Sequence, residues 1–348
     1  MLNESYARGL LESCRAIPGL EALRGRRVLV TGATGLIGSC LVDALMLLNE
    51  SQGTGIDVFA AGRSESGMRR RFGAAMDDPR FHFAPYDATK PPRFDYEVDF
   101  IVHAATSAHP LAYATDPVGI MQANIAGTMH LLEALKAWGH GRFLLLSTGE
   151  IYGENPTLEA GFSETDTGMA DTMKPRSCYP EGKRAAETLC ACYAAQYGVD
   201  AVVARLCHVY GPTFTPSNSR ADAQFLRNAL EGRDIVMKSA GSQVRSWCYV
   251  ADAVCGLLTL LLRGEAGQAY NVANRASVAS IREYAQTLAD VAGVKLAFET
   301  PLELESAGYT RVTRAVLNPA KLEALGFRPR YTLREGLEES FRACGGNH

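Results

Sequence analysis

Short apolar runs and amphipathic stretches alternate along the first two hundred residues. Residues 28–31, 56–61, 81–86, 100–104, 143–147 and 201–205 are largely apolar. Runs this short, without a regular polar face, predict strands covered on both sides. Between them, residues 36–48, 118–138 and 178–197 read as helices. Gly139 and Gly141 follow the second helix and Gly198 the third, where a left-handed residue ends a helix. Strand and helix in strict turn predict an α/β fold, a doubly wound parallel sheet.

Beyond residue 206 the alternation stops at Pro212, Pro216 and a Ser/Asn stretch. Helices are expected near 222–231 and 281–292, and a short strand near 235–238. Residues 26–206 therefore read as the sheet domain. Residues 207–348 read mainly as a smaller C-terminal α/β lobe that closes over the strand ends, with the chain crossing between the two. Residues 1–25 form a helical arm with Leu10, Leu11 and Ile17 on one side. It packs on the domain or, alternatively, hooks a second copy.

Composition narrows the partners. The 348 residues are 47% hydrophobic and 21% charged, as in globular chains. A net charge of −3 without a basic block excludes nucleic acid. Nine cysteines without a Cys-x-x-Cys pair predict free thiols in a reducing compartment and no metal site. Glu4, Arg8, Glu12 and Arg15 break any signal-like run, and residues 41–48 are too few to span a bilayer. The expectation is a cytoplasmic protein without a membrane partner.

Two motifs carry chemistry. The first strand runs into Thr31-Gly32-Ala33-Thr34-Gly35-Leu36-Ile37-Gly38 and then a helix. Gly32, Gly35 and Gly38 allow a tight turn, close approach of a pyrophosphate and close helix–sheet packing. Thr34, Leu36 and Ile37 complete a turn whose N–H groups face the phosphates. The sheet is therefore a Rossmann-type dinucleotide fold. The second strand ends Ala61-Gly62-Arg63-Ser64, with no carboxylate for a ribose hydroxyl. Arg63 suits a 2′-phosphate or stacks on adenine, so NAD is expected and NADP stays open. Asp87 is placed to accept from the adenine amino group. Small Ala104 and Ala105 let the backbone approach the cofactor, and His103 before them reads as structural.

The second motif is Tyr179 and Lys183, four apart on a helix and so on one face. An ammonium beside the phenol is expected to lower its pKa and make it a usable base. A hydride carrier and a tuned base together imply redox chemistry at a carbinol.

Together with Asn124-Ile125-Ala126-Gly127-Thr128, Ser147-Thr148-Gly149-Glu150-Ile151-Tyr152-Gly153 and Arg245-Ser246-Trp247-Cys248-Tyr249, these motifs resemble the extended short-chain dehydrogenase/reductase family of nucleotide-sugar enzymes. Residues 175–188 and 241–246 are most similar to UDP-glucuronate decarboxylases. Pro180 replaces a usual acidic residue there, and His208 a common asparagine. The resemblance implies a UDP-linked sugar, a homodimer and oxidation of the sugar C4. Tyr179 would take the hydroxyl proton, Lys183 would hold the nicotinamide ribose, Thr148 would bind the same hydroxyl, and Asn124 would meet the cofactor. Gly149 stands where a 4,6-dehydratase has Asp, so a lone Glu150 implies decarboxylation. A 4-epimerase is the alternative, then a dehydratase or a non-catalytic binding protein. Arg245 is expected on the diphosphate, with Arg220 a weaker candidate and His208 in the substrate wall. His109, Arg311 and Arg314 could reach a substrate carboxylate, but read as structural or exposed.

Overall fold

The computed structural model describes residues 2–106, 108–154, 160–168, 170–299 and 312–346. Arg311 lies outside them. Seven parallel strands form the main sheet: β1 (Arg27–Thr31), β2 (Asp57–Gly62), β3 (Phe81–Pro85), β4 (Phe100–His103), β5 (Arg142–Thr148), β6 (Asp200–Leu206) and, much later, β10 (Ala269–Val272). Their spatial order is β10-β6-β5-β4-β1-β2-β3. The chain reverses direction across the sheet between β1 and β4, which opens a crevice at the strand ends.

The strands are buried on both faces, and alternate residues divide between two cores. Val28, Val30, Val58, Ala60, Leu144 and Leu146 face one side. There α2 (Leu36–Gln52) and α8 (Val250–Arg263) cover them. Leu29, Phe59, Ile101, Phe143 and Leu145 face the other, under α5 (Pro117–Trp138) and α6 (Cys178–Tyr197). Asp116 caps α5 ahead of Pro117, and left-handed Gly139 and Gly198 end α5 and α6.

A smaller lobe carries β7 (His208–Tyr210), α7 (Ala221–Leu230), β8 (Ile235–Met237), β9 (Val244–Tyr249), β11 (Val278–Ser280) and α9 (Ile281–Ala292). Its central strand is β9, which pairs with β7, β11 and the bridge-length strand Arg314–Ala315. Residues 250–272 leave the lobe, lay α8 against α2 and add β10 to the sheet beside β6. α8 is buried along almost its whole length.

The helix of the arm is shorter than residues 1–25. Helix α1 (Glu4–Arg15) ends before Pro18 and left-handed Gly19, and a 3₁₀ turn, Leu20–Leu23, follows. It packs on α2, α8 and the last helix, Leu333–Ala343. Tyr6 donates to Asp43 of α2 at 2.9 Å, and Asp43 also pairs with Arg71. Ser5 donates to Glu339 at 3.0 Å, and Arg330 reaches Glu12 at 2.8 Å.

The packing of α2 on β1 rests on Gly38. A Cβ there would sit 2.3 Å from the Gly32 carbonyl oxygen, with backbone and no flexible side chain to give way. Gly38→Ala should cost about 1–3 kcal/mol of stability and weaken dinucleotide binding. Urea denaturation and NAD titration of the variant check both.

Candidate functional site

Three strand ends meet the starts of two helices. β1 ends at Thr31, whose hydroxyl accepts from the N–H groups of Ala104 and Ala105 at 3.1 and 3.3 Å. The same oxygen meets His103 Nδ1 at 2.8 Å. Burial, and then the Lys183 charge, pull His103 down to about 3. It is a neutral, structural ring that ties β4 to β1.

This turn fits a dinucleotide. Gly32 has φ 65°, and a Cβ on it would meet the Ala104 carbonyl oxygen at 2.6 Å. Gly35 is the N-cap of α2 and brings no capping side chain to its N–H groups. These lie beside Thr34, Leu36 and Ile37, where a pyrophosphate would find donors. Asn124 donates to Ile120 at 2.9 Å, while its buried Oδ1 has no partner. Asp87 lies two residues past β3 and accepts from Thr89 N and Oγ1 at 3.0 and 2.8 Å. Those bonds hold its carboxyl low, helped by Lys90 and Arg63. Arg63 itself is exposed at the tip of β2.

On the lobe side lies a cavity of about 670 Å³. Its wall includes Ile37, Thr148, Glu150, Tyr179, His208 and Arg220. The sequence motifs from β5, α6 and β7 therefore converge here. Burial pushes the Tyr179 phenol up to about 12, and the Glu150 charge acts the same way. A hydrogen bond with Thr148 and the charges of Arg220 and Arg176 oppose them. Thr148 Oγ1 also accepts from Glu150 N at 3.2 Å.

The expected effect of Lys183 on the phenol is not found. Lys183 is fully buried and its Nζ donates to the Leu146 carbonyl at 2.6 Å. Burial pulls it down to about 8, with Glu187 opposing. The ammonium is directed at the strand, so the charges that lower the phenol belong to arginines.

Arg245 also departs from expectation. It is buried on β9 and absent from the cavity wall. Its guanidinium donates to the carbonyls of Val244 at 2.9 Å and Val312 at 2.6 Å. Burial pulls it down to about 10. Arg220 does face the cavity, held by Asp222 at 3.2 Å and by the Val209 carbonyl at 3.2 Å. His208 lines the wall edge-on to Trp247, and burial pulls it down to about 3. His109 caps α4 (Pro110–Thr115) and meets Ser219 at 3.1 Å. Arg314 lies on the short strand beside β9.

Two site residues escaped the sequence reading. Arg176 pairs with Glu150 at 2.8 Å, and its guanidinium lies 4.3 Å over the Tyr113 ring. Tyr113 in turn stacks on Tyr179 at 5.0 Å. The position of Arg176, three before Tyr179, was the available signal, since that spacing shares a helix face. Nothing local marked Tyr113.

Behind the wall, Arg205 on β6 grips Glu187 of α6, its Nε and NH2 reaching the carboxylate at 3.1 and 2.8 Å. Ser147 donates to the same carboxylate. Arg205 also reaches Tyr152 at 3.1 Å, and Tyr152 reaches Asn271 of β10 at 2.7 Å. Among the described residues no group of His, Cys, Asp and Glu could hold a metal, and none of the nine cysteines is in a disulfide. No described helix is long and apolar enough to cross a membrane.

Residues 28–273 match the NAD dependent epimerase/dehydratase family, and the chain belongs to it. UDP-glucuronic acid decarboxylase 6 of Arabidopsis thaliana is 36% identical over 91% of this chain and 89% of that protein. UDP-glucuronic acid decarboxylase 1 of Xenopus tropicalis is 32% identical over 90% and 71%. The solved structure of Thermus thermophilus UDP-glucose 4-epimerase with NAD superposes with TM-score 0.75 at 27% identity, covering 92% of this chain and 99% of that one. Bacillus cereus UDP-glucuronic acid 4-epimerase shares the fold, with TM-score 0.75 at 24% identity over 91% and 98%.

Arg63 sets a test of cofactor choice. NAD should bind more tightly than NADP, and Arg63→Ala should weaken NADP by roughly tenfold while leaving NAD little changed. Fluorescence titration with both dinucleotides decides. Equal loss for the two would place the guanidinium on adenine.

Proposed function

We propose that this protein decarboxylates a UDP-glucuronate-like nucleotide sugar with bound NAD. The observation that carries the reading is Glu150, alone beside Gly149, in the same cavity wall as Thr148 and Tyr179. Relatives 32–36% identical over about nine-tenths of the chain support it.

NAD supplies the hydride acceptor for the sugar C4 and later the donor to it. Gly32, Thr34, Gly35, Leu36, Ile37 and Gly38 would hold its pyrophosphate, Asp87 its adenine, and Asn124 and Lys183 its nicotinamide half. Tyr179 accepts the C4 hydroxyl proton, steadied by Thr148. The resulting 4-ketone makes the sugar a β-keto acid. Its C5–C6 bond breaks, carbon dioxide leaves, and the electron pair moves onto the C4 oxygen. Tyr179, now a phenol, and Thr148 stabilise that oxygen. Glu150 serves at C5, where a proton must be delivered before hydride returns to C4. No net reduction results. Arg220 is the reading's diphosphate ligand.

We infer the rest of the setting from the same chain. A homodimer is expected, with Val118 and Met129 of α5 among its exposed apolar side chains. Nine free cysteines suit a reducing cytoplasmic compartment.

Incubation with UDP-glucuronate should release carbon dioxide and give a UDP-pentose by mass spectrometry, without accumulation of NADH. A product of unchanged mass would replace this reading with a 4-epimerase, and loss of water with a dehydratase. Tyr179→Phe should lower turnover by roughly two to four powers of ten with NAD binding kept. Glu150→Gln should lower turnover more than substrate binding.

The pH profile of that variant has a definite sign. Turnover needs the phenolate, so it rises with pH toward the raised pKa of Tyr179. The Glu150 charge is the second cause of that raised value. Removing it should move the rising limb to lower pH. A pH–rate profile of wild type and Glu150→Gln measures the shift, and an unmoved limb would mean that another group titrates.

A further inference from the structure

Arg176 is the cation built into the reacting end of the cavity. It sits in the short turn Pro175–Ser177 that leads into α6, three residues before Tyr179. Tyr113 is wedged against both, stacked on the phenol at 5.0 Å and under the guanidinium at 4.3 Å. The guanidinium therefore lies one ring away from the proposed base. Arg220 and Arg227 share the wall, paired with Asp222 and with the Asn218 carbonyl at 2.8 Å, and each, like Arg176, keeps one buried nitrogen without a partner. Arg176 differs in its ion pair with Glu150 and its place against Tyr113.

The nitrogens of Arg176 are used unequally. Its Nη2 meets Glu150 at 2.8 Å, whereas its buried Nε has no partner. A buried donor left unpaired is costly, and a guanidinium fork is the natural host for a carboxylate. In a uronic acid the carboxylate carbon is two bonds from C4, the atom that Tyr179 serves.

We propose that Arg176 is the specificity-determining residue of this site, taking the substrate's C6 carboxylate while Glu150 stays paired with its Nη2. The inference rests on the decarboxylase reading above. A hexose with a hydroxymethyl group at C6 leaves the guanidinium without that partner and is discriminated against for that reason. The Glu150 charge matters as well. A bare guanidinium would hold the carboxylate in its charged form and oppose the loss of carbon dioxide. With half of its charge answered by Glu150, Arg176 selects the group without clamping it.

The test compares UDP-glucuronate with UDP-glucose, two ligands that differ only at C6. Isothermal titration is run on the NAD-loaded wild type, Arg176→Gln and Arg176→Lys. In Arg176→Gln, UDP-glucuronate should bind about 10- to 100-fold more weakly, with UDP-glucose changed by less than about threefold. The KM for UDP-glucuronate should rise more than kcat falls. Equal losses for both ligands, or undiminished preference for UDP-glucuronate, would overturn the assignment. Retained NAD confirms that the variant is folded. If Arg176→Gln loses NAD, Arg176→Lys decides by the same comparison, with a loss of about tenfold expected for UDP-glucuronate alone. Wild-type turnover separates the two claims. If wild type decarboxylates and the variants keep their preference, only the role of Arg176 fails. If wild type leaves UDP-glucuronate intact, both fail.

Discussion

The pairing of Arg205 with Glu187 holds the site in register. It joins β6 to α6 across the ends of the sheet, with both side chains mostly buried. Ser147 adds β5 to the same carboxylate, and Tyr152 and Asn271 extend the network to β10. Tyr179 and Lys183 lie on the helix that this pair anchors, Thr148 ends β5 next to Ser147, and Glu150 follows it. Loss of one partner would leave a buried charge alone, which typically costs about 3–5 kcal/mol. Catalytic geometry and stability are thus tied to one carboxylate outside the reaction.

The electrostatics of the cavity run against the simplest account of a tyrosine base. Burial and Glu150 keep the phenol protonated, and Lys183 is turned toward the Leu146 carbonyl. A positive charge near the phenol is what the site needs to favour phenolate, and the arginines provide only part of it. The oxidised nicotinamide ring carries such a charge. A base that stays protonated until the cofactor is bound would be protected from idle chemistry.

Much of this was legible in the chain. The glycine turn and the Tyr179/Lys183 spacing are local patterns, set within a few residues, and the strands that carry them are continuous apolar runs. What escaped was non-local. Arg245 sits in a strand that reads like a ligand-binding stretch, yet its guanidinium turns to the carbonyls of Val244 and Val312. Tyr113 matters only because α4 brings it against Tyr179, from 66 residues away in the sequence. α8 is buried because the sheet, α1 and α2 all cover it, a placement that depends on segments far apart in the chain. The Asp43–Arg71–Tyr6 contact likewise joins three segments by tertiary packing alone.

The placement of β10 bears on how the chain is made. β6 pairs on one side with β5, and its other edge is closed only by residues 269–272. During synthesis that edge stays open until β7, α7, β8, β9 and α8 have left the ribosome. An unpaired edge strand in a partly folded chain is a template for association with other chains. Pairing across more than sixty intervening residues also raises contact order and slows folding. The nascent nucleotide-binding half is therefore the stage at which an open strand edge is exposed.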